Sequence, residues 1–408
     1  MDNAAFIDAL RQLLPSHDGD GNPARHYLQL PAIGQPEQDV LSAVVGGKGH
    51  WVSNVGPQVR KFEEAIEQFT GIGHVASSVN GTTALQIALQ LAGVGPMHGM
   101  PGTPDRAQRD LVICPSLTFV ASANAIAHCG AVPAFVDAEA ETLGLDPAAL
   151  EAFLEEQCER RDDGAFHVDS GFRIGAIMPV HIFGNPCRVE DIAVIAEAWG
   201  IPLVEDAAES LGSFVGDIHT GRFGVAAGTS FNGNKLITTG GGGAILTDDA
   251  ELADRARHVT VTAKTKGRPA WHYHHDAVAY NYRMPNLNAA FGLAQAERLP
   301  ELLDQKERLF QRWKAIFAAV DLPMVEPRAG TTSNRWLNAV RLPEGTSIED
   351  RNALLVACEA ETIYCRPIWV PMHKLPMYAA CPAGPLPVTE DMEARIVCVP
   401  STARLAEL

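Results

Sequence analysis

The chain has 408 residues, of which 46% are hydrophobic and 20% are charged, and its formal net charge is −17 with an isoelectric point near 5.2. This acidic balance argues against nucleic acids and anionic membranes as partners, because binding to either depends on an excess of Lys and Arg. The length allows a large core and predicts two or more domains.

The eight cysteines are scattered without a close C-x-x-C pair or a cluster of histidines, a pattern typical of reduced thiols in a cytosolic protein. The first residues have neither the basic nor the apolar stretch of a signal peptide. No apolar run approaches the roughly 20 residues that a membrane span requires. We therefore expect a cytoplasmic protein without a metal site.

In chain order, residues 4–14 are predicted to form a short amphipathic helix, followed by a turn-rich stretch over 15–25. From about residue 51 to 249, strands and helices alternate, which is the pattern of a mostly parallel sheet covered by helices on both faces. The predicted strands are 75–78, 111–114, 131–136, 174–180, 201–205 and 243–247. Between the first two strands, apolar residues at three- to four-residue spacing predict a helix over 82–92.

The stretch 96–108 is rich in Gly, Pro and polar residues and is predicted to be an exposed loop. Further along, a helical pattern covers about 288–320. A strand over 337–342, a helix over 348–359 and a strand over 363–369 follow it, and we interpret them as a smaller carboxyl-terminal α/β domain. The predicted organisation is an N-terminal arm (1–48), a large cofactor-binding domain (49–287) and a linking helix with the small domain (288–408).

A lysine and a carboxylate are predicted to meet at one edge of the sheet. The apolar run 201–204 predicts a buried strand, and Glu205 and Asp206 follow at its carboxyl end, where open α/β sheets bind ligands. Lys235 lies further along in S-F-N-G-N-K, shortly before four glycines. This combination is typical of a pyridoxal phosphate site, in which a lysine bonds the cofactor and an acid keeps its ring nitrogen protonated.

Both residues also have ordinary interpretations without a cofactor: the lysine as a solvated loop residue and the aspartate as the cap of the next helix. Finding both residues together favours the cofactor site. Asp206 is our choice for the ring nitrogen, and Glu205 is the weaker candidate.

Residues 80–83, N-G-T-T, lie between a predicted strand and a helix, so their N–H groups and hydroxyls can face a phosphate at the positive helix end. The same motif is also a common turn followed by a helix cap. Ser230, five residues before the lysine, can add a hydroxyl to this phosphate site. Phe119 can stack on a planar ring, although an aromatic residue in a loop more often only packs.

The stretch 204–249 resembles the DegT/StrS family of sugar aminotransferases. The matching residues read V-E-D-A-A-E-S-L-G-S, G-R-F-G, S-F-N-G-N-K and T-T-G-G-G-G-A-I-L-T-D-D. Further blocks extend the resemblance over nearly the whole chain, among them W-V-S at 51–53 and Y-N-Y-R-M at 280–284. Within the family the chain is most similar to a LegC-like subgroup, through W-L-N at 336–338, R-P-I-W at 366–369 and M-H-K-L-P-M-Y at 372–378.

The resemblance implies a fold-type-I enzyme that uses pyridoxal 5'-phosphate, with pyridoxamine 5'-phosphate as the intermediate form. It implies a homodimer with active sites shared between subunits. Lys235 is then the cofactor-bearing lysine and proton carrier, and Asp206 the partner of the ring nitrogen. The other implied cofactor contacts are Gly81, Thr82 and Ser230 at the phosphate, Phe119 at the ring face, and Asn281 reaching the phosphate from the neighbouring subunit.

Glu209 departs from the broad family pattern, in which this position is usually His or Gln and contacts the ring. A carboxylate there accepts a hydrogen bond only from a protonated oxygen or through water. His181, Arg366 and His373 are the expected substrate contacts, although a histidine after a strand is at least as often a structural hydrogen-bonding group.

The resemblance implies transfer of an amino group from L-glutamate to a nucleotide-linked 4-keto-6-deoxy sugar. LegC-like features favour UDP-2-acetamido-4-keto-2,6-dideoxyhexose, as in glycan, nonulosonic acid or bacillosamine-type biosynthesis, and GDP-4-keto-6-deoxymannose is the main rival. Lys235 argues against the related sugar dehydratases, in which a histidine replaces the lysine. A pyridoxal phosphate-binding regulator without turnover and a binding module without the cofactor are further alternatives.

Overall fold

The computed structural model describes residues 3–18, 22–47, 52–95, 109–265 and 271–408. The predicted loop 96–108 and Trp51 of the W-V-S block lie outside the described residues. The helices are α1 Asn3–Arg11, α2 Gln35–Gly46, α3 Pro57–Thr70, α4 Gly81–Leu91, α5 Val120–His128, α6 Pro147–Gln157, α7 Val189–Trp199, α8 Ala250–Val259, α9 Asn286–Glu297, α10 Leu299–Ala318, α11 Ile348–Ala360 and α12 Pro387–Arg395.

The strands are β1 His74–Ser78, β2 Asp110–Pro115, β3 Val132–Val136, β4 Cys158–Arg161, β5 Gly164–His167, β6 Arg173–Ile177, β7 Val204–Asp206, β8 Phe214–Val215, β9 Ile218–His219, β10 Ala226–Ser230, β11 Gly243–Thr247, β12 Lys264–Thr265, β13 His274–His275, β14 Thr331–Thr332, β15 Asn338–Arg341, β16 Arg366–Pro367 and β17 Ile396–Val399. Of the helices found in the described residues, none is long and apolar enough to cross a membrane.

Two sheets join to form the central layer. One has the order β3-β2-β6-β5-β4, in which β3, β2 and β6 are parallel and β5 and β4 form an antiparallel hairpin. The other has the order β1-β11-β10-β7, in which β10 and β7 are parallel and β11 runs opposite to its neighbours. Parallel bridges from Ile177 to Leu203 and from Val180 to Asp206 connect the two. The mostly parallel sheet predicted from the sequence is therefore confirmed.

Helices bury both faces of this layer, which explains the apolar runs in the sequence. On one face, α4 packs against β10 and β11, and most of its residues, including Leu85 and Ala88, are buried. On the other face, α6 and α7 cover β2, β3 and β6 through residues such as Leu150 and Ile192. This packing fixes the carboxyl ends of β1, β2, β7 and β10 at one edge of the sheet.

The carboxyl-terminal part has a sheet of order β15-β17-β16 packed with α10 and α11. The amino-terminal helix α1 joins the same cluster, where Phe6 lies 5.2 Å from Phe317 between ring centroids. The continuous helix predicted over 288–320 is wrong: it is broken at Arg298 into α9 and α10, and Pro300 in the first turn of α10 has no N–H to continue the ladder of α9. The strand predicted over 363–369 is reduced to the two residues of β16.

Candidate active site

A cavity of about 340 Å³ lies at the carboxyl edge of the central sheet. Its walls come from segments that follow β1, β2, β7 and β10, together with two tryptophans of the carboxyl-terminal part. The lining residues are Asn80, Gly81, Thr82, Leu85, Thr118, Phe119, Ala121, Ser122, Val180, Asp206, Ala208, Glu209, Ser230, Asn232, Asn234, Lys235, Trp336 and Trp369. The segments that carry the predicted lysine, carboxylate and phosphate contacts thus meet around one cavity.

Lys235 presents its amine to this cavity from the turn after β10, with 13% of its side chain exposed. Its Nζ lies 3.8 Å from the centroid of the Trp336 ring and 3.7 Å from Glu209 Oε1. Burial lowers the pKa of Lys235, and the carboxylates of Glu209 and Asp206 oppose that lowering. A lowered pKa increases the fraction of neutral amine, which is the form that attacks a carbonyl.

Asp206 ends strand β7 and is held by two donors. Ser122 Oγ donates to its Oδ2 at 2.7 Å, and the N–H of Ala208 donates to its Oδ1 at 3.1 Å. The Thr118 hydroxyl lies 2.9 Å from Ser122 Oγ and extends the network. Burial raises the pKa of Asp206, whereas these hydrogen bonds and Lys235 lower it. A fixed carboxylate at this place is suited to a protonated ring nitrogen.

Glu205, the weaker candidate for that role, has other partners. Successive residues of a strand point to opposite faces, so Glu205 faces away from the cavity. It is fully buried and accepts hydrogen bonds from His181 Nε2 at 3.0 Å and from the backbone N–H groups of Gly221, Phe223 and Gly224. His181 is also fully buried and does not line the cavity, so its predicted role as a substrate contact is not supported by this geometry.

Residues 80–83, predicted to form a phosphate cradle, lie at the start of α4. Asn80 Oδ1 accepts the N–H of Thr83 at 2.9 Å, so Asn80 is the helix cap. Gly81 and Thr82 follow it at the cavity wall, where helix N–H groups have no partner within the helix. A Cβ on Gly81 would lie 2.7 Å from Ser230 Cβ, so this closeness to the serine requires glycine.

Aromatic rings also line the cavity. Phe119, which is 48% exposed, precedes α5, and its ring centroid lies 6.0 Å from that of Trp369. The Trp369 centroid lies 5.3 Å from that of Phe183. Trp336 is almost completely buried, and its Nε1 donates to the carbonyl of Asn234 at 2.6 Å. A planar ligand that enters this cavity therefore meets aromatic faces.

Glu209 is buried in the cavity wall, and its Oε2 accepts the N–H of Phe183 at 2.8 Å. Burial raises the pKa of Glu209 to about 7, although Lys235 and this hydrogen bond act in the opposite direction. The second oxygen faces Lys235 at 3.7 Å, which is too long for a direct hydrogen bond. One oxygen of Glu209 is therefore bound to the backbone, and the other faces Lys235.

Besides His181, three more predicted site residues lie outside the cavity of this chain. Asn281 is exposed, and its Oδ1 lies 3.5 Å from Asn54 Nδ2. Arg366 is exposed on β16, 6.0 Å from the Tyr364 ring centroid. His373 Nδ1 lies 2.8 Å from Ser116 Oγ. The geometry of a single chain thus gives no contact between these three residues and the cavity.

Three lining residues had no role predicted from the sequence: Ser122, Trp336 and Trp369. Ser122 lies in the first turn of α5, and Thr118 precedes the helix by two residues, with its hydroxyl 2.9 Å from Ser122 Oγ. The tryptophans belong to the W-L-N and R-P-I-W blocks, which served only for the resemblance.

This donor set fits pyridoxal phosphate. A buried lysine, a carboxylate held by two donors and a helix start beside a serine hydroxyl lie on the walls of one cavity. The glycine at position 81 leaves space at the helix start that a Cβ would fill. Within the described ranges, no group of three or more His, Cys, Asp or Glu side chains is placed to hold a metal ion.

Comparison with known proteins gives consistent matches over most of the chain. Residues 32–407 match the model of the DegT/DnrJ/EryC1/StrS aminotransferase family. EpsN of Bacillus subtilis (strain 168) is 34% identical over 388 residues, which cover 93% of this chain and 92% of that protein. GDP-perosamine synthase of Caulobacter vibrioides is 36% identical over 359 residues, 88% of each chain. A solved DegT DnrJ EryC1 StrS aminotransferase from Brucella abortus has a TM-score of 0.75, 29% identity and 90% coverage of both chains.

Proposed function

The chain belongs to the DegT/DnrJ/EryC1/StrS aminotransferase family, and on that premise we propose that it transfers an amino group from L-glutamate to a nucleotide-linked 4-keto-6-deoxy sugar. The predicted fold type, the aminotransferase class and the use of pyridoxal phosphate are confirmed by this membership. The observation that carries the proposal is the convergence of Lys235, Asp206 and the start of α4 on one cavity.

Bound pyridoxal phosphate would supply an electron sink that makes the proton on the α-carbon of glutamate acidic. Lys235 takes that proton from glutamate and returns a proton to the sugar carbon in the second half of the reaction. Asp206 would hold the ring nitrogen in its protonated form. Gly81, Thr82 and Ser230 would hold the phosphate and so orient the cofactor relative to the lysine amine.

We further propose a cytoplasmic homodimer in which Asn281 acts at the site of the partner subunit. Asn281 is exposed in the single chain and is not among the residues that line the candidate active-site cavity. A two-fold interface would bring the Asn281 of each subunit to the other's site, since the same surface patch is used on both sides. The site is then complete only in the dimer.

For the nucleotide, the LegC-like blocks favour a UDP-linked 2-acetamido-4-keto-2,6-dideoxyhexose. The Caulobacter relative, a GDP-perosamine synthase by name, favours a GDP-linked 4-keto-6-deoxymannose as the second candidate. Both substrates present a ketone to the same amine, so the choice between them depends on contacts beyond Lys235 and Asp206.

The decisive experiment incubates the holoenzyme with glutamate and each of a panel of UDP-, GDP- and dTDP-linked 4-keto sugars, followed by mass spectrometry. The proposal expects 2-oxoglutarate together with a sugar product one mass unit heavier, on one nucleotide in preference to the others. Lys235→Ala is the matched control and should give no product. Failure of the loaded wild-type enzyme to aminate any keto sugar of the panel would refute the proposed function.

A further inference from the structure

Lys306 is a fully buried lysine that plays no part in the proposed chemistry. It lies in the buried stripe of α10, where residues three or four apart face the core. Its neighbours in that stripe include Leu302, Leu309 and Trp313. A cation in such a position costs several kcal/mol unless its hydrogens are satisfied by acceptors, so its surroundings need an explanation.

The Lys306 amine contacts three oxygens from separate segments. Its Nζ donates to Gln29 Oε1 at 3.0 Å, to the Trp336 carbonyl at 2.7 Å and to the Ser401 carbonyl. A protonated amine has three hydrogens and a neutral amine has two, so only the ammonium form can make all three contacts. Burial lowers the pKa of Lys306 to about 7. Acceptor oxygens around an amine favour its charged form.

The contact with the Trp336 carbonyl connects Lys306 to the candidate active site, because the Trp336 ring lines its cavity. The residue before Trp336, Arg335, has a left-handed backbone with φ of 53°. The Trp336 N–H donates to Asn334 Oδ1 at 2.9 Å, and its indole Nε1 donates to the Asn234 carbonyl at 2.6 Å. Lys306 binds the remaining polar group, the carbonyl. The N–H, the carbonyl and the indole N–H of Trp336 are thus all hydrogen-bonded.

We propose that Lys306 is a positioning residue: by binding the Trp336 carbonyl, it fixes the Trp336 indole over the amine of Lys235. The inference rests on the proposed function, because that function gives the Lys235 amine its significance. The indole covers the amine at 3.8 Å and limits the access of water to it. The charged groups that also face this amine are Glu209 and Asp206.

The test uses the full chain without cofactor, with pyridoxal phosphate as the probe. Protein is exposed briefly to the probe over a pH series and reduced with borohydride, and peptide mass spectrometry gives the fraction modified at Lys235. The midpoint of this pH dependence reports the apparent pKa of the Lys235 amine. In Lys306→Met a displaced indole lets water reach the amine, so the midpoint should move to higher pH by about one pH unit.

A double-mutant cycle separates positioning from a general structural role. If Lys306 acts through the Trp336 ring, then Lys306→Met should cause no further change in a Trp336→Ala background, which has no ring to position. Lys306→Gln keeps two N–H donors and should shift the midpoint less, and it replaces Lys306→Met if that variant does not fold. Lys314→Met, at an exposed position of the same helix, is the control and should leave the midpoint unchanged.

An unchanged midpoint in folded Lys306→Met or Lys306→Gln would overturn the proposal, as would an equal shift in the Trp336→Ala background. A wild-type chain that takes no probe at Lys235 would instead contradict the proposed function. The two failures are therefore distinguishable.

Discussion

Ser122 Oγ donates a 2.7 Å hydrogen bond to Asp206 Oδ2, so a hydroxyl from α5 fixes the carboxylate at the end of β7. Ser122→Ala removes that donor and leaves a buried carboxylate with one hydrogen bond fewer, which costs about 1–3 kcal/mol. We expect affinity for pyridoxal phosphate to fall about tenfold or more, measured by titration of the visible absorption band. Thr118→Ala should have a smaller effect, because Thr118 contacts Asp206 only through Ser122. Equal affinities in wild type and Ser122→Ala would contradict this role.

Lys235→Ala should lower aminotransferase activity by about a thousandfold or more, because the variant loses both the covalent attachment and the proton carrier. The measurement is 2-oxoglutarate release from glutamate with a keto-sugar acceptor. Lys61→Ala, at an exposed position of α3, is the matched control and should keep wild-type activity. Turnover by Lys235→Ala near the wild-type rate would exclude Lys235 from the chemistry.

Gly81→Ala should weaken binding of the cofactor phosphate. The new Cβ would lie 2.7 Å from Ser230 Cβ, so the start of α4 and the serine must move apart and the phosphate contacts change with them. We expect at least about a tenfold loss of pyridoxal phosphate affinity, which corresponds to about 1.4 kcal/mol. Gly46→Ala, where an added Cβ meets no atom within 4 Å, should bind the cofactor normally.

Glu209→Gln should remove part of the pH dependence of stability in the cofactor-free protein. The pKa of Glu209 is raised to about 7 in the folded chain, so the acid is neutral there over a pH range in which the unfolded chain is ionised. The folded state then binds more protons, and the free energy of unfolding falls by up to about 3 kcal/mol as pH rises from about 4.5 to 7. Urea unfolding of both proteins across that range is the measurement. Parallel plots of the free energy of unfolding against pH for wild type and Glu209→Gln would contradict the raised pKa.

Mixed dimers test the proposed contribution of Asn281 to the partner's site. Lys235→Ala and Asn281→Ala should each be inactive or nearly so alone. After the two are mixed and their subunits exchange, half of the dimers are mixed, and each mixed dimer has one site with both residues intact. Activity should therefore recover to about one quarter of the wild-type value. No recovery after demonstrated exchange would mean that Asn281 acts within its own chain or not at all.

The sequence predicts best those features that depend on local pattern. The strand 243–247 has the bounds of β11, and the strand-end position of Asp206 follows from the apolar run before it. Contacts between distant segments have no such local signal. Ser122 and Asp206 are 84 residues apart, and the Trp336 ring reaches Lys235 from another part of the chain. Only tertiary packing brings these pairs together.

Local sequence also misleads where proline intervenes. The predicted strand 363–369 is cut to Arg366–Pro367, and Pro367, which has no N–H, occupies a strand at the edge of its sheet. In the same way, Pro300 lies just after the break between α9 and α10, although the apolar pattern continues through it. Backbone hydrogen bonding decides these boundaries, and side-chain periodicity does not report it.

The hydrogen bonds of Glu205 have a consequence for its neighbour in β7. This strand has only three residues, and a slip of one residue would exchange its two faces and turn Asp206 away from the cavity. His181 and the turn 221–224 hold Glu205 through four hydrogen bonds and so oppose that slip. The alignment of the acid that faces the cavity thus depends on an adjacent acid that is buried and does not line the cavity.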